Sequence, residues 1–349
     1  MQFGSINILV KDPEEALDTY LKLFGTNNVD QVLKINRMSN GVDTVSGYVL
    51  KTHSINCGIY TPDDPNSKLG EHLQKNGEGI HHIELHVGQE EFIEAHEKFK
   101  SYGWPVSEKP IFIGKLGEAI FWIEETGEQG VLVKFSTKLT KGFGRDGAVY
   151  LDTPKSIDEV TITKEYIRPR LSLVTQVIAV RDFKKQLDVW SKILSQPIPP
   201  GILDIKTGEP VNVDDGRGDI FQEVYFPFER QNGLTKIGIY GPINDDGPLS
   251  RLLYAKNNIA AYNNMTFLVS RDKYQHYWNQ LEEAGFAMLD PRPIILLDTG
   301  NYFCFVHPIS THGVACEFVS YTILNKEKGV FGYDWSDATM YLVSPDIND

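Results

Sequence analysis

The densest run of reactive side chains in the 349-residue chain is Gly79-Ile80-His81-His82-Ile83-Glu84-Leu85-His86-Val87. Its pattern predicts a strand, on which side chains two apart face the same way. His82, Glu84 and His86 therefore share one face and put two imidazoles around a carboxylate. Groups of this kind shift one another's proton affinities and support proton transfer. They form a poor chelate, because four residues of extended chain separate His82 from His86 by roughly 13 Å. His81 is expected on the opposite face as a packing residue. The GxGxxG spacing occurs once, in GFGRDG at 142–147, without the strand-then-helix pattern such a motif needs, and no P-loop, CxxC pair or HExxH run occurs. Nucleotide cofactors, structural zinc and zincin chemistry thus have no positive signal. Cys57, Cys304 and Cys316 are too few for a disulfide framework and are expected as buried thiols in a reducing cytoplasm.

The bulk numbers set the frame. Hydrophobic residues make up 41% and charged residues 23%, as in a globular protein with chain enough for two cores. A formal net charge of −13 disfavours nucleic acid or an anionic membrane as a general partner. No run of 18 apolar residues suggests a membrane span, and the start, MQFGSINILVKD, enters a strand pattern without a signal-peptide layout. The expected location is cytoplasmic.

Positioning of the reactive groups falls to a repeat. ILVKD with its following PEEALDTYLKLFG returns as IAVRD with FKKQLDVWSKIL, so that Val10 maps to Val180, a displacement of 170. GIYTP at Gly58 returns as GIYGP at Gly238, displaced by 180. GVLVKF, ending at Phe135, returns as GVACEF, ending at Phe318, displaced by 183, and KGFGRD is echoed by GVFGYD. The growing displacement means that the second copy gained loop residues, chiefly at 208–217, which are turn-forming. Each copy repeats again within itself. Ser5 to Val10 resembles His82 to Val87, Thr175 to Val180 resembles Asn264 to Val269, and each leads into an amphipathic helix. One such helix, QEEFIEAHEKFKSYG, places Phe92, Ala95, Phe99 and Tyr102 at helical spacing and stops at glycine. Short strands such as EAIFWIE and GVLVKF follow. The fold class is therefore α+β, with four β-α-β-β-β modules in two tandem domains, 1–137 and 171–322. Residues 138–170 are a linker or packed extension, and 323–349 a C-terminal extension.

In that order of elements the chain resembles the vicinal oxygen chelate superfamily. This group includes glyoxalase I, methylmalonyl-CoA epimerase, extradiol dioxygenases, 4-hydroxyphenylpyruvate dioxygenase and the bleomycin-resistance proteins. INILVKDPEEALDTYLKLFG, HLQKNGEGIHHIELHV and GVLVKF are similar to the epimerase, whereas length and layout are similar to 4-hydroxyphenylpyruvate dioxygenase. The resemblance implies that two modules form a cup with a divalent metal held where strands converge. Its four ligand slots fall on Ser5, Gly58, His82 and Lys134 in the first domain, and on Thr175, Gly238, Asn264 and Glu317 in the second. Each domain thus retains one strong ligand, and Lys134 brings a positive charge that repels a divalent ion. No metal and no other cofactor is expected.

The same alignment lines the first cup with Ser5, Asn7, Asn56, Tyr60, His82, Glu84, His86 and Lys134. Such a cup suits removal of a proton beside a carbonyl, with Lys134 stabilising the enolate and Glu84 or His82 as the base. The plainer reading is a buried Lys134–Glu84 ion pair in a purely structural domain. A metal held by His82 and Glu84, with or without His86, is the minor alternative. The second cup would hold Thr175, Val177, Lys236, Tyr240, Asn264, Thr266 and Glu317, a more neutral lining. There Glu317 could act as a base with Tyr240 or Lys236 as electrophilic partner, or Tyr60 and Tyr240 could simply be walls that pack. His307 is expected at a rim or turn. These readings lead to a metal-independent epimerase, isomerase or lyase acting on a small-molecule carbonyl substrate. The alternatives are a metal-free binding or drug-sequestering protein and a 4-hydroxyphenylpyruvate dioxygenase-like metalloenzyme. Four modules complete their cups within one chain, so a monomer suffices and a homodimer is optional.

Overall fold

The recurring Val-Lys/Arg-Asp sequence ends a strand and starts a helix in both halves of the chain. Asp12 Oδ1 accepts from the backbone N–H of Glu14 and Glu15, each at 3.0 Å, and so caps α1 (Pro13–Phe24). Asp182 caps α4 (Phe183–Leu194) in the same way through Lys185 N at 3.0 Å. Such caps satisfy N–H groups that a helix's first turn leaves orphaned.

The computed structural model describes residues 1–25, 28–39, 43–52, 54–113, 117–139, 149–151 and 157–160 of the first half. In the second half it describes 171–199, 212–214, 218–228, 235–255, 259–296 and 301–321. The KGFGRD echo, most of 208–217 and the expected C-terminal extension lie outside these. Two compact units result, Met1–Tyr166 and Ile167–Asp349.

The first unit begins with β1 (Gln2–Leu9), α1, β2 (Gln31–Ser39), β3 (Thr44–Lys51), β4 (Asn56–Pro62) and α2 (Lys68–Asn76). It continues with β5 (Gly79–His86), α3 (Gln89–Ser101), β6 (Ile111–Ile113), β7 (Glu118–Ile123) and β8 (Leu132–Lys138). The expected connection supplies two further strands to the same sheet, β9 (Val149–Leu151) and β10 (Ile157–Val160), and so acts there as a packed extension. The sheet order is β10-β2-β3-β4-β1-β5-β8-β7-β6-β9. β1 lies parallel to β4 and antiparallel to β5, which in turn runs parallel to β8.

The second unit comprises β11 (Leu171–Val180), α4, β12 (Val213–Asp214), β13 (Ile220–Pro227), β14 (Lys236–Pro242) and α5 (Pro248–Ala255). β15 (Ala260–Ser270), α6 (Tyr274–Glu283), β16 (Ile294–Leu296), β17 (Asn301–Val306) and β18 (Ala315–Tyr321) complete it. Its sheet order, β12-β13-β14-β11-β15-β18-β17-β16, reproduces the centre of the first sheet. The architecture is thus α+β, with two mixed sheets whose helices bury one face.

Repeat-equivalent residues do equivalent work. Phe135 stacks on Phe121 at 4.8 Å between ring centres, and Phe318 stacks on Phe267 at 4.9 Å. α3 buries Phe92, His96 and Phe99, whereas Ala95 is half-buried and Tyr102 exposed. The expected apolar stripe is therefore shifted toward His96, whose Nε2 lies 2.7 Å from the Ser107 carbonyl oxygen. Cys57, Cys304 and Cys316 are buried free thiols.

Gly47 shows how closely the strands of the first unit pack. Its φ is +150°, and a Cβ there would stand 2.0 Å from the Ile59 carbonyl oxygen on β4. Gly47→Ala should destabilise the first unit by about 2–4 kcal/mol, through both strain and a backbone clash. Urea unfolding followed by tryptophan fluorescence should show an early transition displaced to lower denaturant. An unchanged curve would mean that β3 and β4 do not pair in this register.

Candidate active site

A single lateral row of residues crosses the middle of the first sheet. Register pairs Asn56 with Ser5, Ser5 with Glu84, Glu84 with Lys134, and Lys134 with Trp122. Paired residues on neighbouring strands present their side chains on the same face. Lys134 Nζ lies 3.0 Å from Glu84 Oε1, with both side chains only 13% exposed. Ser5 Oγ donates to Glu84 Oε2 at 2.9 Å, and Asn7 Nδ2 donates to Ser5 Oγ at 2.9 Å. Burial pushes the Glu84 carboxyl up, but Lys134, His86 and hydrogen bonds from Ser136 and Lys134 outweigh it, so its net shift is down. Burial pulls Lys134 down, while the carboxylates of Glu84 and Glu118 raise it overall. The site therefore holds a fixed ammonium–carboxylate pair, and a carboxylate tied this tightly is a poor base.

Asn56, Ser5, Glu84 and Lys134 of this row form one wall of a cavity of about 560 Å³, a size suited to a small organic ligand. Ser5, Asn56, Tyr60, Glu84, His86 and Lys134 all line it, as expected from the sequence. Glu118, Lys51 and Lys138 line it as well and were not anticipated. Burial, reinforced by Glu84, raises the Glu118 carboxyl against the opposing pull of the lysines. His86 Nδ1 lies 2.6 Å from Ser136 Oγ, and its ring occupies the space that a Cβ on Gly4 would need. Burial, with help from Lys134, Lys51 and Lys138, lowers His86, and Glu84 opposes them.

His82 and Asn7 line a separate small cavity of about 30 Å³, which shares Tyr60, Lys134 and Met38 with the larger one. His81 lines it too, contrary to the expectation that it faces away. The reason is a bulge, since Asn7 pairs with His82 but Ile8 with Ile80, leaving His81 as the extra residue. His81 Nδ1 and His82 Nδ1 lie 3.0 Å apart, so one nitrogen donates and the other accepts. Burial, with His81 and Lys134 adding to it, holds His82 well below the ordinary imidazole range against a partial pull from Glu84. Burial, with His72 beside it, takes His81 down to about 3.

The second unit repeats the row with its charges rearranged. Lys236 pairs with Thr175, Thr175 with Thr266, and Thr266 with Glu317. Glu317 Oε2 accepts from Thr266 Oγ1 at 2.7 Å and from Asn264 Nδ2 at 3.0 Å. Tyr240 stacks on Phe221 with ring centres 4.6 Å apart and meets Tyr225 hydroxyl to hydroxyl. Tyr225 also donates to Glu223 at 2.9 Å, and Lys236 Nζ lies 5.1 Å from the Tyr225 ring centre. Burial raises Glu223 and lowers Lys236 well below its usual range, with Glu223 only partly restoring the amine. Thr175, Lys236, Tyr240, Asn264, Thr266 and Glu317 of the expected lining thus sit on adjoining strands, with Glu223 and Tyr225 added, whereas Val177 is buried in the core. Glu223 and Tyr225 sit two apart on β13, an alternation that would have assigned them to one face. His307 caps the short turn at Pro308–Ser310, accepting from Ile309 N at 3.1 Å.

The residues present do not fit the divalent metal that the resemblance implies. A Cβ on Gly58 would lie 2.3 Å from Asn7 Oδ1 and 2.5 Å from Tyr60 Cε2, so any ligand side chain there is displaced by its neighbours. Lys134 places an ammonium against the one carboxylate of the row. At Gly238 a Cβ would meet Tyr225 at 3.0 Å and Tyr240 at 3.4 Å. Among the described residues, no group of three His, Cys, Asp or Glu is placed to hold an ion.

Comparison with solved structures places this architecture. A triple mutant of 4-hydroxymandelate synthase from Streptomyces coelicolor superposes with a TM-score of 0.60 at 10% identity, covering 91% of this chain and 92% of that one. A variant of methylmalonyl-CoA epimerase from the same organism, in complex with 2-nitronate-propionyl-CoA, matches at 15% identity. It covers 43% of this chain and 93% of the epimerase, with a TM-score of 0.34. The chain has the vicinal oxygen chelate fold. The likeness to the synthase runs over nearly the whole length of both chains. No protein-family model and no curated protein sequence matches it. No helix among the described residues is long and apolar enough to cross a membrane.

Two outcomes test this electrostatic picture. Lys134→Met leaves Glu84 buried without its counter-charge and should cost about 3–5 kcal/mol, most of it recovered in the Lys134→Met/Glu84→Met double variant. Chemical denaturation of the three proteins checks this, and an additive double variant would disprove the pairing. The depressed His81 and His82 shifts carry a pH signature. The unfolded chain binds protons near 6.5 while the folded chain resists them, so stability is full above that value and falls on acidification toward about 3. Denaturation at pH 7.5 and pH 5 should show this loss, and His81→Phe should reduce it.

Proposed function

We propose that the first unit catalyses metal-independent proton transfer at a carbon beside a carbonyl group, as an epimerase, isomerase or lyase acting on a small molecule. The observation carrying this reading is the Lys134 ammonium, locked at 3.0 Å against Glu84 on the wall of a cavity that Glu118 also faces. Lys134 donates to the carbonyl oxygen and stabilises the negative charge that develops there, a task that preorganised charge performs well in a water-poor cavity. Glu84 keeps Lys134 protonated and in place. Glu118, whose burial raises its proton affinity, is the base in place of the Glu84 or His82 expected from sequence. The C–H bond breaks, its electron pair forms the enolate, and the proton passes to Glu118. Its return to the other face, or to another atom, gives an epimer or an isomer. Ser5, Asn56 and Tyr60 orient the carbonyl compound, and His86 lines the same cavity.

The second unit supports a binding or structural role rather than a second reaction centre. Its lysine lies over the half-buried ring of Tyr225 and its Glu317 is committed to Thr266 and Asn264. The residues of the first cup all come from one unit, so one copy of the chain is enough for the reaction, in keeping with a cytoplasmic enzyme that needs neither nucleic acid nor membrane.

The test is exchange of the acidic hydrogens of a ketone in deuterated water, followed by proton NMR with 2-octanone as probe. Wild-type protein should accelerate exchange. Glu118→Gln should lower the rate by about 100-fold or more, as should the stably folded Lys134→Met/Glu84→Met variant. The rate should rise with pH as Glu118 loses its proton, at a pH above the ordinary carboxylate range. Lack of acceleration with tight binding of the ketone would favour the sequestering protein. Stoichiometric iron, nickel, manganese or cobalt in purified protein would favour the dioxygenase-like alternative.

A further inference from the structure

The rim of the large cavity carries positive charge that the proposed proton transfer does not use. Lys51, at the end of β3, is half-buried, and Lys138, at the end of β8, is exposed, whereas Lys134 lies deep. All three line the cavity. Lys51 and Lys138 come from strands on opposite sides of β1 and β5, yet both act electrostatically on Glu118 and His86. They therefore bring positive charge to the cavity from both sides of β1 and β5. Among the described residues neither side chain makes a hydrogen bond or an ion pair. Elsewhere on this acidic surface lysines do find carboxylates, as in Lys22 with Asp18 at 2.6 Å and Lys34 with Glu14 at 3.8 Å.

The cavity's charges do not cancel. Lys134 is committed to Glu84, which leaves two lysines facing the single carboxyl of Glu118. A chain of net charge −13 thus presents net positive charge in this cavity. Gln2, Gln89 and Thr137 add hydrogen-bonding groups there, while Leu33, Ile35, Val49 and Ile113 give the cavity apolar walls. A ligand that satisfies all of this has an anionic group at one end, an apolar body, and a carbonyl at the end that reaches Lys134.

We infer that Lys51 and Lys138 bind the anionic tail of the substrate, so that the substrate class is a carbonyl compound bearing a carboxylate or phosphate remote from its carbonyl. The inference rests on the proton-transfer reading for the carbonyl end only; the anion site stands on the rim lysines alone. Partly desolvated lysine–anion hydrogen bonds favour the charged ligand over a neutral analogue by a factor that binding can read directly. The attraction weakens as salt rises, because the rim is open to solvent.

Three probes share a chain and a methyl ketone: 7-oxooctanoate, 7-oxooctyl phosphate and neutral 2-octanone. Calorimetric titration of the full chain should show at least one anion binding about tenfold tighter than 2-octanone. The tighter of the two anions identifies the head group. In the Lys51→Met/Lys138→Met variant this preference should vanish while affinity for 2-octanone stays within about twofold. Both residues lie at the rim, so the variant should fold, and an unchanged melting temperature checks it. Exposed Lys138→Glu alone should weaken anion binding further than Lys138→Met does. Equal affinity for anion and ketone, a preference that survives in the double variant, or no binding of any probe at millimolar concentration would overturn the inference. Anion binding through the lysines without hydrogen exchange would instead sink the proton-transfer reading and leave this one intact.

Discussion

The contact between Lys134 and Glu84 is the constraint around which the first unit is arranged. Removing two charges from water is costly, and their attraction offsets that cost only with good geometry and further hydrogen bonds. Here the remaining capacity of the carboxylate is met by Ser5 Oγ at 2.9 Å and by Ser136. All of these groups lie on β1, β5 and β8, adjacent strands whose registers must hold together for the pair to form. A slip of one residue would turn Glu84 away from Lys134 and leave both charges unmatched. The ion pair thus acts as a register lock as well as a source of electrostatic preorganisation. It gives the cup a fixed ammonium held against its own carboxylate.

Much of this was readable from residue order. Period-two alternation marked β1, β5, β11 and β15 and assigned His82 and Glu84 to one face, because a strand's pleat depends on the strand itself. The duplicated Val-Lys/Arg-Asp sequence located the capped helices for a similar reason, since capping is settled within three residues. The two-unit α+β architecture followed from the order in which these signals recur.

What escaped the sequence depends on partners distant along the chain. His81 joins His82 because a bulge opposite Ile8 removes one residue from the alternation, and a bulge is a property of a strand pair. Glu118 opens the run EAIFWIE and reads as an ordinary strand-end charge. Only the pairing of β7 with β8 sets it beside Lys138 and over the cavity. Glu223 and Tyr225 were hidden in the same way, because β13 has its meaning only once it lies against β14.

The two cups share strand order and even bulge positions, yet they differ in where lysine and glutamate fall along the row. In the first unit Glu84 and Lys134 are immediate neighbours on β5 and β8. In the second, Lys236 and Glu317 stand at opposite ends of a row of four, with Thr175 and Thr266 between them. Three strand spacings amount to roughly 14 Å, too far for an ion pair. Each group must then find other support. Glu317 is held by threonine and asparagine donors, while burial drives Lys236 toward its neutral form over the ring of Tyr225. The same strand order therefore holds lysine and glutamate as an ion pair in one unit and apart, with the lysine beside hydrogen-bonded tyrosines, in the other. The difference comes from the strand on which a single lysine was placed.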